Sequence, residues 1–230
     1  MLLAEIALCG CQGITMTSTQ LRVIDASPDA GTIDSYDNTS ALAYNLGFGT
    51  VTSYIPMTPG AYNLAAEKAG TRQTLIANNA TLAPNHQYTE IIGAGLANLQ
   101  QTVLLDQSDP APAGRIDLRI LNQTTRAGAI DVYLIPLGKG IAPSKLASNL
   151  TFGANSGYID LPEGTYGLDV VPAGTMLVSS TATLLSGAQF AYTSGAVRTI
   201  VLIDQETPAT QHAAANAGVQ AIVADDADAQ

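Results

Sequence analysis

The chain has 230 residues, 47% of them apolar and only 12% charged, with no tryptophan. That balance excludes both a disordered chain and a charge-rich helical one. The formal charge is −10, from 19 acidic against nine basic residues. This repels phosphate backbones, and the basic residues are scattered along the chain, so nucleic acid is excluded as a partner.

Residues 1–11 are apolar, end in small residues, and are shorter than the roughly 20 residues that a membrane-spanning helix needs. Leu8-Cys9-Gly10-Cys11 resembles the lipobox of a bacterial lipoprotein, with Leu8 at −3 and Gly10 at −1. The resemblance implies lipid attachment at Cys11, although Glu5 interrupts the apolar stretch and no basic segment precedes it. Residues 1–19 then read as a truncated leader and polar tether, with Gln12 after the acceptor suggesting the outer membrane. Cys9 and Cys11 are the only cysteines, so no disulfide or thiolate metal site staples the rest of the chain.

From residue 20 short runs rich in Thr, Val, Ile and Tyr alternate with turn signals at roughly ten-residue spacing, the pattern of an antiparallel sandwich. Leu21–Asp25 is extended and closes on the turn Ser27-Pro28-Asp29-Ala30-Gly31; Ile33–Asp37 alternates as a half-buried strand. Val51–Met57 leads to the Thr58-Pro59-Gly60 corner, and Tyr62–Ala65 returns. Gln73–Ala77, Gln87–Ile92 and Thr102–Asp106 complete a first module over 20–106. Residues 107–114 hold two prolines and predict a stiff linker keeping the modules apart. A second module over 115–224 repeats the order, with a longer loop at 136–145 and a closing strand at Val219–Val223. The acidic end, 225–230, reads as a frayed tail.

The modules are copies. Asn45-Leu46-x-Phe48-Gly49, Tyr54-Ile55 and Gly60-x-Tyr62 recur 104 residues later as Asn149-Leu150-x-Phe152-Gly153, Tyr158-Ile159 and Gly164-x-Tyr166. Leu21-Arg22 and Ile33-Asp34-Ser35-Tyr36 recur 97 residues later as Leu118-Arg119 and Ile130-Asp131-Val132-Tyr133, and Leu105-Asp106-Gln107 aligns with Ile203-Asp204-Gln205. The fold class is therefore all-β: two tandem immunoglobulin-like antiparallel β-sandwiches. Leu21 to Asp29, Ile33 to Tyr36, Asn45 to Gly49 and Gly60 to Tyr62 together resemble the domain-of-unknown-function family 4397, found in secreted and lipid-anchored bacterial proteins. The resemblance covers about residues 20–205. It implies sandwiches at the cell surface and offers no catalytic residue to carry over.

No catalytic, cofactor or metal constellation stands out. His86 and His212 do not recur between modules and have no nucleophile beside them. Asp25, Asp29, Asp34 and Asp37 fall close enough together for a calcium cage, but EF-hand spacing is absent and only Asp131 repeats, so turn-capping is the simpler role. Phe48 and Phe152 read as core plugs beside glycines of positive φ. Tyr54, Tyr62, Tyr158 and Tyr166 could stack on sugars, yet repeated tyrosines beside turns read as structural. The sequence thus points to a non-enzymatic extracytoplasmic surface protein, lipid-anchored or secreted, serving as spacer or adhesion module. The alternative is a carbohydrate- or peptide-binding protein. Its glycan or protein partner would meet the unshared loops at 25–31 and 136–145.

Overall fold

A computed structural model describes residues 18–38, 40–138, 143–205 and 218–228. Module one is built from β1 (Thr19–Ala26), β2 (Ile33–Asp37), β3 (Ser40–Leu46), β4 (Ile55–Met57), β5 (Gly60–Lys68), β6 (Thr74–Leu82), β7 (Gln87–Gly93) and β8 (Gln100–Asp106), with one 3₁₀ turn at Leu96–Asn98. Module two is built from β9 (Arg115–Asn122), β10 (Ile130–Pro136), β11 (Ser144–Leu150), β12 (Asn155–Pro162), β13 (Gly164–Pro172), β14 (Leu185–Tyr192), β15 (Val197–Asp204) and β16 (Val219–Ala227). The sheets are β4-β1-β7-β8 and β3-β2-β5-β6 in the first module, β12-β9-β15-β16 and β11-β10-β13-β14 in the second. The topology is thus the same twice over, and each module is a β-sandwich. Pairing is antiparallel except for β1 with β7 and β9 with β15, which run parallel.

Each sandwich has its own core. In module one, Leu21 and Val23 of β1 pack towards Leu64, Leu82, Ile33 and Ala66. In module two, Ile116, Leu118 and Ile120 of β9 join Val132, Leu134, Leu168 and Val170. The alternate residues of the same strands do not face water. Ile24, Ala26 and Ile91 of module one share a third cluster with Leu121, Val201 and Ile203 of module two. The β4-β1-β7-β8 sheet therefore lies against the β12-β9-β15-β16 sheet, and the four sheets stack as layers around three cores. A strand covered on both faces needs no polar side, which is why Val197–Asp204 is buried almost throughout.

Four sequence expectations change. The linker does not hold the modules apart: Gln107 N–H donates to Tyr158 Oη at 3.2 Å, and Ala111 N–H donates to Gly195 O at 3.0 Å. Apolar area on both inner sheets outweighs whatever extension two prolines impose. The acidic end does not fray at 225, because β16 continues to Ala227 and Asp226 is buried. The partner of Asp106 in the repeat is Asp226 on β16 rather than Asp204, which closes β15; the longer connection between β15 and β16 displaced the alignment by one strand. Module two is also longer at 173–184, between β13 and β14, so its extra length is not confined to the loop after Ile135.

Candidate functional site

The junction between the modules holds a group of buried polar side chains. Arg22 on β1 and Arg119 on β9 point into it, both almost fully buried. Arg22 Nε donates to Thr89 Oγ1 of its own module at 2.7 Å. Its other nitrogens cross to module two, one to Asp225 O at 2.9 Å and one to the Asp226 carboxylate. Arg119 does the same in reverse: Nε to Thr199 Oγ1 at 3.0 Å, then across to Leu105 O at 3.0 Å and the Asp106 carboxylate.

Each acid is completed by its own module. Asp106 Oδ2 accepts from Thr89 Oγ1 at 2.6 Å and Tyr54 Oη at 2.7 Å, and Asp226 Oδ2 accepts from Thr199 Oγ1 at 2.7 Å and Tyr158 Oη at 2.9 Å. The tyrosine rings also lie under the guanidiniums, 4.8 Å from Arg22 and 4.6 Å from Arg119. Two cations and two anions cancel, and every oxygen of both acids is satisfied, the condition under which a buried ion pair is tolerable. Burial weakens the Arg22 cation, but Asp226, Tyr54 and Asp106 outweigh it and hold its pKa above the ordinary value. Burial likewise raises the Tyr54 and Tyr158 phenols, so both remain donors. Tyr54 and Tyr158 are therefore junction posts and unavailable to a sugar.

The other repeated residues shape turns. Asp34 accepts from Asn45 N–H at 2.7 Å and Gly70 N–H at 3.0 Å. Asp131 accepts from Asn149 N–H at 2.7 Å, Gly174 N–H at 3.1 Å and Lys145 Nζ at 2.6 Å. These clamps hold Asn45 and Asn149 at φ 54° and 50°, a left-handed conformation that asparagine tolerates better than most residues. Tyr62 and Tyr166 tie their hydroxyls to Thr58 O and Pro162 O, four residues upstream. Phe48 plugs the inter-module cluster rather than the module-one core, and Phe152 reaches within 3.8 Å of a Cβ position at Gly93, across the junction.

The four early aspartates do not converge. Asp25 caps Ser27 N–H, Asp29 caps Leu96 N–H, and Asp34 holds its own turns. Among the described residues no three His, Cys, Asp or Glu side chains gather as a metal site requires. His86 Nδ1 lies 2.7 Å from Pro84 O in an exposed turn. His212, Cys9 and Cys11 lie outside the described residues.

The two unshared loops start from opposite ends of the stack, and residues 139–142 of the second lie outside the described residues. Pro28 and Asp29 face Thr125, Arg126 and Gln205 of module two around a cleft of about 490 Å³ beside Phe48. The 136–145 loop leaves the far end of β10, where Leu134, Leu137, Leu146 and Tyr166 line an apolar cavity of about 260 Å³. A third feature was not singled out by the sequence. Tyr44 is 67% exposed and meets Tyr36 edge-on at 6.1 Å, while the Arg72 guanidinium lies 4.5 Å over the Tyr36 ring. Thr32, Asn45 and Thr71 complete the walls of this open depression of about 680 Å³. Module two has Ser148 in place of Tyr44, so the repeat itself hid the residue.

These features define a protein of two stacked β-sandwich modules joined by a buried reciprocal ion network. The chain belongs to the family described as "Domain of unknown function (DUF4397)", whose profile matches residues 19–133, all of module one and the first strands of module two. No curated protein matches it in sequence. Among solved structures it is similar to the Bacillus anthracis TIE protein, at 10% identity and a TM-score of 0.23, over 91% of this chain and 43% of that one. It is also similar to the structure titled "Alpha-glucan binding by a streptococcal virulence factor", at 11% identity and TM-score 0.23, over 80% and 92% of the two chains. The family CBM26 module of Eubacterium rectale Amy13K, solved with maltoheptaose, matches at 11% identity and TM-score 0.22, over 80% and 91%. Scores at this level leave fold and ligand to be argued from the chain's own residues.

Proposed function

We propose that this is a non-enzymatic surface protein of the extracytoplasmic space that works by adhesion, held to a membrane by a lipid on Cys11. The observation that carries the reading is the stacking of the modules side by side. An end-to-end pair would double the reach of a spacer. A face-to-face pair keeps the length of one sandwich and doubles the surface of its ends, which suits a presenting platform. Module one's loops meet module two's at the end of β1 remote from Thr19, so an anchor upstream of Thr19 leaves that composite end facing outward. In cells given a complete export signal, protease added outside should remove the protein, and Cys11→Ser should move it from the detergent phase to the aqueous one. Protection in intact cells, or equal partitioning of both forms, refutes the reading.

The second reading, a carbohydrate-binding protein, is favoured by the Tyr36–Tyr44–Arg72 depression. An exposed ring offers an apolar platform to a sugar face, and Asn45, Thr32 and Thr71 bring hydrogen-bonding groups to its walls. This moves the binding surface away from the loops at 25–31 and 136–145.

A further inference from the structure

We infer, resting on the carbohydrate-binding reading, that the Tyr36–Tyr44–Arg72 depression takes a sugar bearing a carboxylate, a uronate-type residue. Its acid would sit on Arg72 and its ring on Tyr44. The pointer is Arg72. Arg22, Arg115, Arg119, Arg126 and Arg198 each donate hydrogen bonds from the guanidinium, whereas Arg72 donates none to the described residues. Its acidic neighbour Glu67 has Oε2 3.7 Å from Nη1, close enough to attract and too far to bond. The Tyr36 ring, 4.5 Å from the guanidinium carbon, holds the cation by its face without using any N–H. The side chain is 70% exposed, so those donors are open to a ligand. A stacked guanidinium with unspent donors is a fork for a planar carboxylate, which takes two parallel N–H bonds.

Module two shows the same place with its cation spent. Lys145 lies 5.2 Å from the ring of Tyr133, the counterpart of Tyr36, but its ammonium is bonded to Asp131 at 2.6 Å. In module one Asp34, the counterpart of Asp131, gives its oxygens to the N–H groups of Asn45 and Gly70 and leaves the cation unclaimed. Ser148 stands where module one has Tyr44, so module two lacks both the free fork and the platform. The remaining groups of the depression suit a sugar ring. The Asn45 amide and the Thr32 hydroxyl bond to no described residue and line the same walls, where they can meet hydroxyls beside the acid. The chain's charge of −10, with Asp34 and Glu67 close by, draws in no polyanion from a distance. Recognition is therefore by contact, and the ligand carries one acid among neutral sugars rather than a run of acids.

Titration calorimetry on the full chain tests this with disaccharides ending in glucuronate, galacturonate or mannuronate, each beside its carboxyl-reduced counterpart. At least one acid should bind about 10-fold or more tightly than its reduced form, the worth of a charge-assisted pair of bonds. Arg72→Gln should level that pair with little change in the thermal melt, because the side chain is mostly exposed. Arg72→Lys, which keeps the charge and loses the fork, should recover only part of the preference. Acetyl-Gly-Gly, a carboxylate without a ring, should not bind. Reduced sugars that bind as tightly as the acids, or a preference that survives Arg72→Gln, would overturn the inference and leave the carbohydrate reading standing. Acetyl-Gly-Gly binding as tightly as the acids would assign the fork to a peptide end and overturn it too. No binding of any sugar, acidic or reduced, would overturn both.

Discussion

Asp25→Asn should stabilise the protein, and increasingly so as pH rises. Asp25 is fully buried; its Oδ1 accepts from Ser27 N–H at 2.9 Å, while its Oδ2 has no partner. Module two carries the control, Asn122, at the same position of β9. Asn122 Oδ1 accepts from Thr124 N–H at 2.9 Å, and its Nδ2 donates to Leu150 O at 2.8 Å and Gly128 O at 3.2 Å. Where module two has a donor bonded to carbonyls, module one has a buried carboxylate oxygen with no hydrogen-bond partner. Burial pushes the Asp25 pKa up to about 7 from 3.8, with the Ser27 N–H opposing. Between those values the folded state holds a proton that the unfolded state has released, so stability falls as pH rises from about 4 to about 7 and is level above. At about 1.4 kcal/mol per unit the ceiling is roughly 4 kcal/mol, and relaxation around the site brings it to about 1–4 kcal/mol. Asparagine removes this slope and adds a donor. Thermal melts should place Asp25→Asn about 3–12 °C above the wild type at pH 8, with the two converging near pH 4. An equal or lower melting temperature at pH 8, or a difference independent of pH, refutes the reasoning.

The same logic applies to Glu90, fully buried in the module-one core beside Ser35 and Gln101, with its pKa pushed up to about 7 by burial. Module two has Ile200, Val132 and Ala221 there; Glu90→Gln should flatten the fall in stability between about pH 4.5 and 7, read from denaturant midpoints at several pH values. Arg22→Leu should cost about 3–5 kcal/mol by leaving Asp226 buried without its cation, a loss visible as a lower urea midpoint. Asp34→Ala should release Asn45 and Gly70 and cost about 1–3 kcal/mol by the same measure. Tyr44→Ala should leave stability within about 0.5 kcal/mol, since the ring is mostly exposed, yet abolish any oligosaccharide binding seen by titration.

The sequence made the repeat, the strand order and the turn residues legible because they are local. A clamped left-handed asparagine leaves Ile-Asp-x-Tyr and Asn-Leu-x-Phe-Gly in both copies, whatever surrounds the module. The stacking left a fainter trace. Leu21 to Ala26, Ile116 to Asn122 and Val197 to Asp204 lack the polar side that a solvent-facing sheet would show, and that departure from alternation was the readable sign of a covered face. Its meaning was masked by Arg22 and Arg119, which restore an apparent polar alternation while sitting in the interior. Asp226 was harder still: six residues of mostly Asp and Ala at a chain end read as a solvated tail, and only a partner 204 residues away makes one of them a core residue.

A junction of this kind also explains why charge was kept where hydrophobic residues would hold the layers as well. Apolar sheets slide over one another at little cost, since Leu, Ile and Val contacts are interchangeable along a face. Arg22 and Arg119 cannot slide: each needs one carboxylate, one carbonyl and one hydroxyl at fixed spacing, and a shift by one residue pair strands two charges in a dry interface. Replacing all four charged residues by leucine and methionine should therefore leave stability within about 2 kcal/mol of the wild type, or raise it. What should be lost is the single register. Amide spectra of that variant should show doubled or broadened signals for Ile24, Ile91 and Val201, whose neighbours depend on register, while Val132 and Leu168 in the separate module-two core stay sharp. One sharp set of signals throughout would mean that apolar packing alone fixes the register.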